Sequence, residues 1–256
     1  MDETPKALFK NASDGDKAAL KSLTLLAETG DVSAMVFIAM LYDETGPVCI
    51  KEDLKLARLW YKKSAEKGDK LAQIAFANMC HYGQGGDEDL VLAFKWYLAA
   101  AEQGEREAQM HVARFYENGL IVDKDIVTAI TWYEKAVENG HELAATNLGQ
   151  ITYDDAKNNE DYKKALELFL FAAGKGDGLA YLFLGEMTLK GQGTEINNRD
   201  GLLALFIAAA LLPDGNNRKL ALDRKEFYLA QHPEVREEFD IKSNEYIEAK
   251  GFQVLH

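Results

Sequence analysis

The stretch AFKWYLAAAEQG, Ala93 to Gly104, decides how the whole chain is read. Two others share its register, ARLWYKKSAEKG (Ala57 to Gly68) and AITWYEKAVENG (Ala129 to Gly140), and a weaker copy, ALELFLFAAGKG, runs from Ala165 to Gly176. Counting from an earlier glycine of the same kind, Gly30, Gly68, Gly104, Gly140 and Gly176 lie 38, 36, 36 and 36 residues apart. A further step reaches Leu212, inside FIAAALLPDG, where the pattern fades. A constant period of this size marks a chain made by stacking one unit again and again.

Each unit has two halves. After the glycine comes an alanine-led stretch with its apolar residues at i, i+4, i+5 and i+8: Ala34, Ile38, Ala39 and Tyr42 in one unit, Ala108, Val112, Ala113 and Tyr116 in another. That spacing is one face of a helix. The second half, Ala93, Trp96, Tyr97, Ala100 and Ala101, runs i, i+3, i+4, i+7, i+8, again one helical face. Small residues such as Ala72, Ala77, Ala100, Gly149 and Gly185 allow close helix approach. Trp60, Trp96 and Trp132, each followed by Tyr, supply buried area. The closing glycines fit left-handed C-caps, and Gly83-Gln84-Gly85 and Gly191-Gln192-Gly193 fit the turns between paired helices. A lone pair cannot bury its own apolar face, so neighbouring pairs must stack.

These residues resemble the Sel-1-like repeat, a relative of the tetratricopeptide repeat. Its pattern is roughly A-x-x-x-L-G-x-x-Y-x-x-G-x-G, a charged turn, then A-x-x-W-Y-x-K-A-A-x-x-G; AQMHVARFYENG followed by AITWYEKAVENG is close to it. The period of 36 and the Trp-Tyr pair favour this family over the plain tetratricopeptide repeat. The resemblance covers about Ala18 to Asp214. The fourth copy departs from it, with TYDDAKNNED in place of the glycine turn and Leu168-Phe169 for Trp-Tyr, and the first has GPV at the turn and two extra residues. The resemblance implies an all-α, right-handed α/α superhelical solenoid of about five two-helix repeats between capping helices.

Along the chain, residues 1–30 are expected to form an N-terminal cap, with one helix around Pro5 to Asn11 and another from Lys17 to Thr29. The solenoid is expected over 31–215, and a C-terminal helical cap over 216–256, as two helices, Arg218 to Gln231 and Pro233 to Lys250. First helices are expected near 32–43, 70–82, 106–118, 142–153 and 178–190, and second helices near 52–67, 88–103, 124–139, 160–175 and 198–212.

The chain has 29 Lys and Arg against 42 Asp and Glu, a net charge of −13, which repels phosphate backbones and anionic lipid surfaces. The start MDETPKALFK lacks a signal-peptide core, and no run approaches the eighteen or so apolar residues of a membrane span. A cytoplasmic protein is expected. Some secreted members of the resembled family carry a disulfide in each repeat; here there are only Cys49 and Cys80, which accords with a reducing compartment.

Catalytic patterns are thin. Ser64-Ala65-Glu66-Lys67 matches S-x-x-K of penicillin-recognising enzymes, to which some relatives have been linked. Ser64, however, fills the slot of Ala100, Ala136 and Ala172, and no S-D-N or K-T-G accompanies it. His81, His111 and His141 lie 13, 7 and 1 residues past their repeat glycines, so they are expected not to converge on a metal. GQGGD and GQGTE lack G-K-[ST]. Asp53, Glu88, Asp89 and Asp125 sit where carboxylates favour a helix start. No enzyme activity, cofactor or metal is expected.

By analogy with the tetratricopeptide groove, the inward face of the first helices is expected at Val36, Met40 and Asp43; Ile74, Asn78 and His81; Met110, Arg114 and Glu117; Thr146, Gln150 and Tyr153; and Leu182, Glu186 and Leu189. Of these, Met40, Asp43, Asn78, His81, Met110, Arg114, Glu117, Gln150, Tyr153 and Glu186 are the partner-binding candidates, about half of the face being expected to stay exposed. The mixture of apolar, amide and charged groups suits a protein or peptide partner. The preferred reading is a monomeric adaptor. The alternatives are an immunity or inhibitor protein capping a toxin, as bacterial relatives do, a β-lactam-binding hydrolase, or a structural protein that oligomerises.

Overall fold

The computed structural model describes residues 4–233 and 236. Among them there are thirteen α-helices and no strand. They fall into two compact units, Met1–Asn139 and Gly140–His256. The first holds α1 (Pro5–Ser13), α2 (Lys17–Glu28), α3 (Val32–Tyr42), α4 (Leu54–Glu66), α5 (Lys70–His81), α6 (Leu90–Glu102), α7 (Arg106–Asn118) and α8 (Ile126–Glu138). The second holds α9 (Glu142–Asp154), α10 (Asn159–Ala173), α11 (Gly178–Lys190), α12 (Asn198–Leu211) and α13 (Asn216–Gln231). Within each unit every helix packs chiefly on the helices before and after it. The helix expected over Pro233 to Lys250 lies outside the described residues.

Aspartate starts most of these helices. Asp16, Asp31, Asp53, Asp69, Asp89, Asp125 and Asp177 each accept a backbone N–H of the first turn through the side chain. A cap of this kind contributes about 1 kcal/mol. At Asp125 the Thr128 hydroxyl, at 2.7 Å, and then backbone N–H groups hold the carboxyl below its ordinary range. α7 and α13 lack a side-chain cap; in α7 the N-cap residue Glu105 instead pairs with Lys70.

The pairs interlock by size. Ala57, Ala93, Ala129 and Ala165 have no exposure, and Tyr97, Tyr133, Phe115 and Phe169 are wholly buried. Where alanine is still too large, glycine takes over: a Cβ on Gly149 would lie 2.9 Å from the Phe169 ring. Gly185 and Gly201 bring α11 and α12 together so closely that a Cβ on either would come 2.7 Å from a leucine of the facing helix. Trp60 is buried and Trp96 and Trp132 are half-buried, with Lys63 and Lys135 over the Trp60 and Trp132 rings.

Two ties recur between successive pairs. The turn at Gly83-Gln84-Gly85 places Gly85 at φ +67°, against the start of α4, where a Cβ would sit 2.2 Å from the Leu54 carbonyl oxygen. Gly193 repeats this against Tyr162. In the third copy Ile121 holds φ +55° in that place, a left-handed conformation that costs a residue with a Cβ about 1–2 kcal/mol. The second tie is polar. Buried Gln73 donates to the Ala65 carbonyl and accepts from Gln103 at 2.8 Å; Gln109 donates to the Ala101 carbonyl and accepts from Asn139 at 3.0 Å. Each glutamine thereby joins the end of one second helix to the end of the next.

Candidate functional site

In the first unit α3, α5 and α7, and in the second α11, are buried on two sides, by their own second helix and by the one before. That widens the buried arc and turns the open face by about one residue from the expected one. In the first unit the open residues are Ser33, Met40 and Glu44 after α3 begins, Leu71 and Tyr82 along α5, and Glu107, Arg114 and Asn118 on α7. In the second unit they are Leu143, Gln150 and Asp154 along α9, and Lys190 on α11. Leu71 and Tyr82 are about 60% exposed, at 59% and 62%, which is high for large apolar side chains on otherwise buried helices.

The ten candidate positions divide accordingly. Met40, Arg114 and Gln150 are exposed. Asn78 is half-buried and accepts the Tyr97 hydroxyl at 2.5 Å. Asp43 and Glu117 are held from within, accepting the hydroxyls of Tyr61 at 2.7 Å and Tyr133 at 2.5 Å. Burial first, then this bond, raises the Tyr61 phenol pKa well above its usual value. Met110 is buried, and of the wider set Ile74, Thr146 and Leu182 are buried as well. Tyr153 donates to the Gln192 side chain at 3.1 Å. Glu186 pairs with Lys190 at 2.9 Å and Arg224 at 3.4 Å. Partial burial alone would lower the Lys190 pKa, but the Glu186 carboxylate outweighs it and raises it.

Two of the three evenly spaced histidines come close to each other. His81 and His111 do meet, their ring centroids 6.2 Å apart, because both lean on Tyr97 of α6, the helix between their own. His111 stacks on that phenol at 4.3 Å. His81 also packs against Phe115 and Tyr82, and its Nδ1 is buried with no hydrogen-bond partner. Burial first, then the positive charge of Arg114, push the His81 imidazole below its ordinary value, while Glu88 opposes them. Offsets within the repeat had hidden this meeting, since a ring in the next helix can bridge unequal positions. Among the described residues no three His, Cys, Asp or Glu side chains stand close enough to share a metal ion.

Ser64 is wholly buried and donates to the Val32 carbonyl at 3.4 Å, so its hydroxyl packs between helices instead of facing a substrate. Cys49 is exposed, its thiol 3.2 Å from the Ser13 carbonyl; Cys80 is buried, and the two are not bridged. Burial raises the Cys80 thiol pKa. Among the described residues no helix is long and apolar enough to cross a membrane.

Stacked helical pairs with a polar-apolar stripe on the first helices define a helical-repeat scaffold, a fold typical of protein-interaction modules. The family match agrees. Five segments, residues 32–69, 70–105, 106–141, 143–177 and 178–206, match the Sel1 repeat and together span well over half of the chain, which belongs to that family. No curated protein gives a match. Among solved structures, a Sel1 repeat protein from Oxalobacter formigenes is 25% identical with a TM-score of 0.67, over 80% of this chain and 58% of that one. The chain thus spans little more than half the length of that relative. The c5321 protective antigen of uropathogenic Escherichia coli, which displays an SLR fold, is 21% identical with a TM-score of 0.54, over 90% of this chain and 64% of that one. Immunity protein Pa5087 from Pseudomonas aeruginosa is 19% identical with a TM-score of 0.45, over 89% and 83%.

Proposed function

We propose that the chain is a non-enzymatic adaptor whose repeats, over 31–215, hold a partner polypeptide against the open faces of their first helices, the segments 1–30 and 216–256 serving as ends. The observation that carries this reading is the stripe Met40, Leu71, Asn78, Tyr82 and Arg114 in the first unit. It leaves large apolar groups in solvent beside an amide and a guanidinium. Exposed apolar groups rimmed by polar ones mark interaction surfaces. Aromatic and arginine side chains contribute most at such surfaces. Unbridged cysteines accord with action in the cytoplasm.

A photo-crosslinking residue placed at Tyr82 in the full chain, in its source cells, should capture one discrete partner. The same residue at Val127, which is 76% exposed but off the stripe, should not. Equal capture at both positions would reject the open-face assignment. Loss of capture on changing Leu71 and Arg114 together to serine, with the helical spectrum intact, would secure it.

A further inference from the structure

The second unit contains an open cavity of about 610 Å³ between α10, α11, α12 and the turn before α12. Leu166, Leu184 and Ala204 give it apolar walls. Leu170 and Ile196 also line it, and they are 55% and 67% exposed, so large apolar groups stand in solvent at its edge. Thr188, Glu195 and Asp200 supply acceptors, and no basic side chain lines it.

Two other copies show what the same positions hold elsewhere. Three periods earlier, Phe76 stands at the position of Leu184 and Trp96 at that of Ala204. Their rings meet edge-on, with centroids 5.9 Å apart. Two periods earlier, Phe94 stands at the position of Leu166, Tyr116 at that of Thr188 and Trp132 at that of Ala204. Phe94 and Tyr116 meet edge-on at 5.8 Å, and Trp132 is half-buried. The residue at the place of Leu166 varies, Arg58 in one copy and Phe94 in the other. What the two copies share is a tryptophan at the place of Ala204 and at least one further ring among these positions.

In the last copy Leu166, Leu184, Thr188 and Ala204 keep none of these rings. Tyr181, from the place of Gln73, brings one ring to the edge, and the cavity remains. Acceptors appear where the aromatic bulk is lost, Thr188 for Cys80 and Asp200 for Leu92. The Trp96 N–H, in its own copy, is buried with no hydrogen-bond partner. An indole set in the last copy has acceptors at hand, as buried tryptophan N–H groups usually do.

We propose that this cavity receives a tryptophan side chain carried in a basic segment of a partner polypeptide. The indole takes the space between Leu166, Leu184 and Ala204 that the chain's own tryptophans take in other copies, and its N–H meets Thr188 or Asp200. An apolar space left by a missing large side chain takes an aromatic guest in preference to water. Basic residues beside the tryptophan meet the carboxylates of Glu195 and Asp200, and the net charge of −13 draws such segments toward the chain. The site shares no residue with the first-helix stripe, so it stands or falls apart from the adaptor reading.

The test is titration of the full chain with the capped peptide acetyl-Lys-Trp-Lys-amide, followed by backbone NMR shifts at Thr188 and Ile196. Saturable binding is expected, weaker by about tenfold for acetyl-Lys-Leu-Lys-amide, which keeps the charge and loses the ring, and for free indole, which keeps the ring and loses the charge. Ala204→Trp should fill the space from within, raise the melting temperature and reduce the tryptophan peptide to the level of the leucine one. Leu166→Phe, which restores the ring that Phe94 supplies in the first unit, should do the same by a second route if the tryptophan variant does not fold. Several outcomes would overturn the proposal: no saturable shift, equal binding of the leucine peptide, free indole binding as tightly as the tryptophan peptide, or full binding that survives in a folded variant.

Discussion

Replacing Gly85 by alanine separates two effects that glycine combines at a repeat turn. Gly85 and Gly68 both hold positive φ, +67° and +92°. A Cβ on Gly68 meets nothing within 4 Å, whereas on Gly85 it would lie 2.2 Å from the Leu54 carbonyl oxygen and 2.6 Å from its carbon. The left-handed conformation costs alanine about 1–2 kcal/mol at either site. Restricting the unfolded chain returns about 0.5–1 kcal/mol. Gly68→Ala should therefore lose about 0.5–1 kcal/mol. At Gly85 the obstacle is backbone at the start of α4, which cannot swing aside as a side chain can, and overpacking of this kind adds about 1–3 kcal/mol. Gly85→Ala should thus lose about 2–4 kcal/mol. At roughly 2–4 °C per kcal/mol for a chain of this size, its melting temperature should drop by about 4–16 °C, against about 1–4 °C for Gly68→Ala. Thermal unfolding followed by far-ultraviolet circular dichroism reads both. Equal drops would show that the turn does not press on α4 and that the tie between successive pairs lies elsewhere.

Two further outcomes follow from the polar ties and the ring cluster. Gln103→Ala removes the donor to buried Gln73 and should cost about 1–3 kcal/mol, whereas the double change with Gln73→Leu should cost less than the sum of the singles in urea unfolding; strict additivity would dissolve the tie. His81 is held neutral, its folded pKa below the ordinary 6.5, so as pH falls the unfolded chain takes up the proton first. Stability should be unaffected well above pH 6.5, should decline as pH drops through that value, and should level off once the folded pKa is passed; His81→Gln should flatten this segment of the curve, and parallel curves would refute the burial argument.

The sequence determined the period, the helical pairs and their order, because these rest on spacing. Alanine at i and i+4 with Trp-Tyr on the next helix can bury one face only as a stacked pair, and each closing glycine marks a turn. The glutamine ties were also written there, as Ala72-Gln73 with Gln103 and Ala108-Gln109 with Asn139, the same thirty residues apart, but a single polar letter among apolar ones does not announce its partner. Tertiary structure alone decided which edge of each first helix stays open. Asp43 and Glu117 read as groove residues until the buried Tyr61 and Tyr133 claim them, because a phenol out of water must find an acceptor.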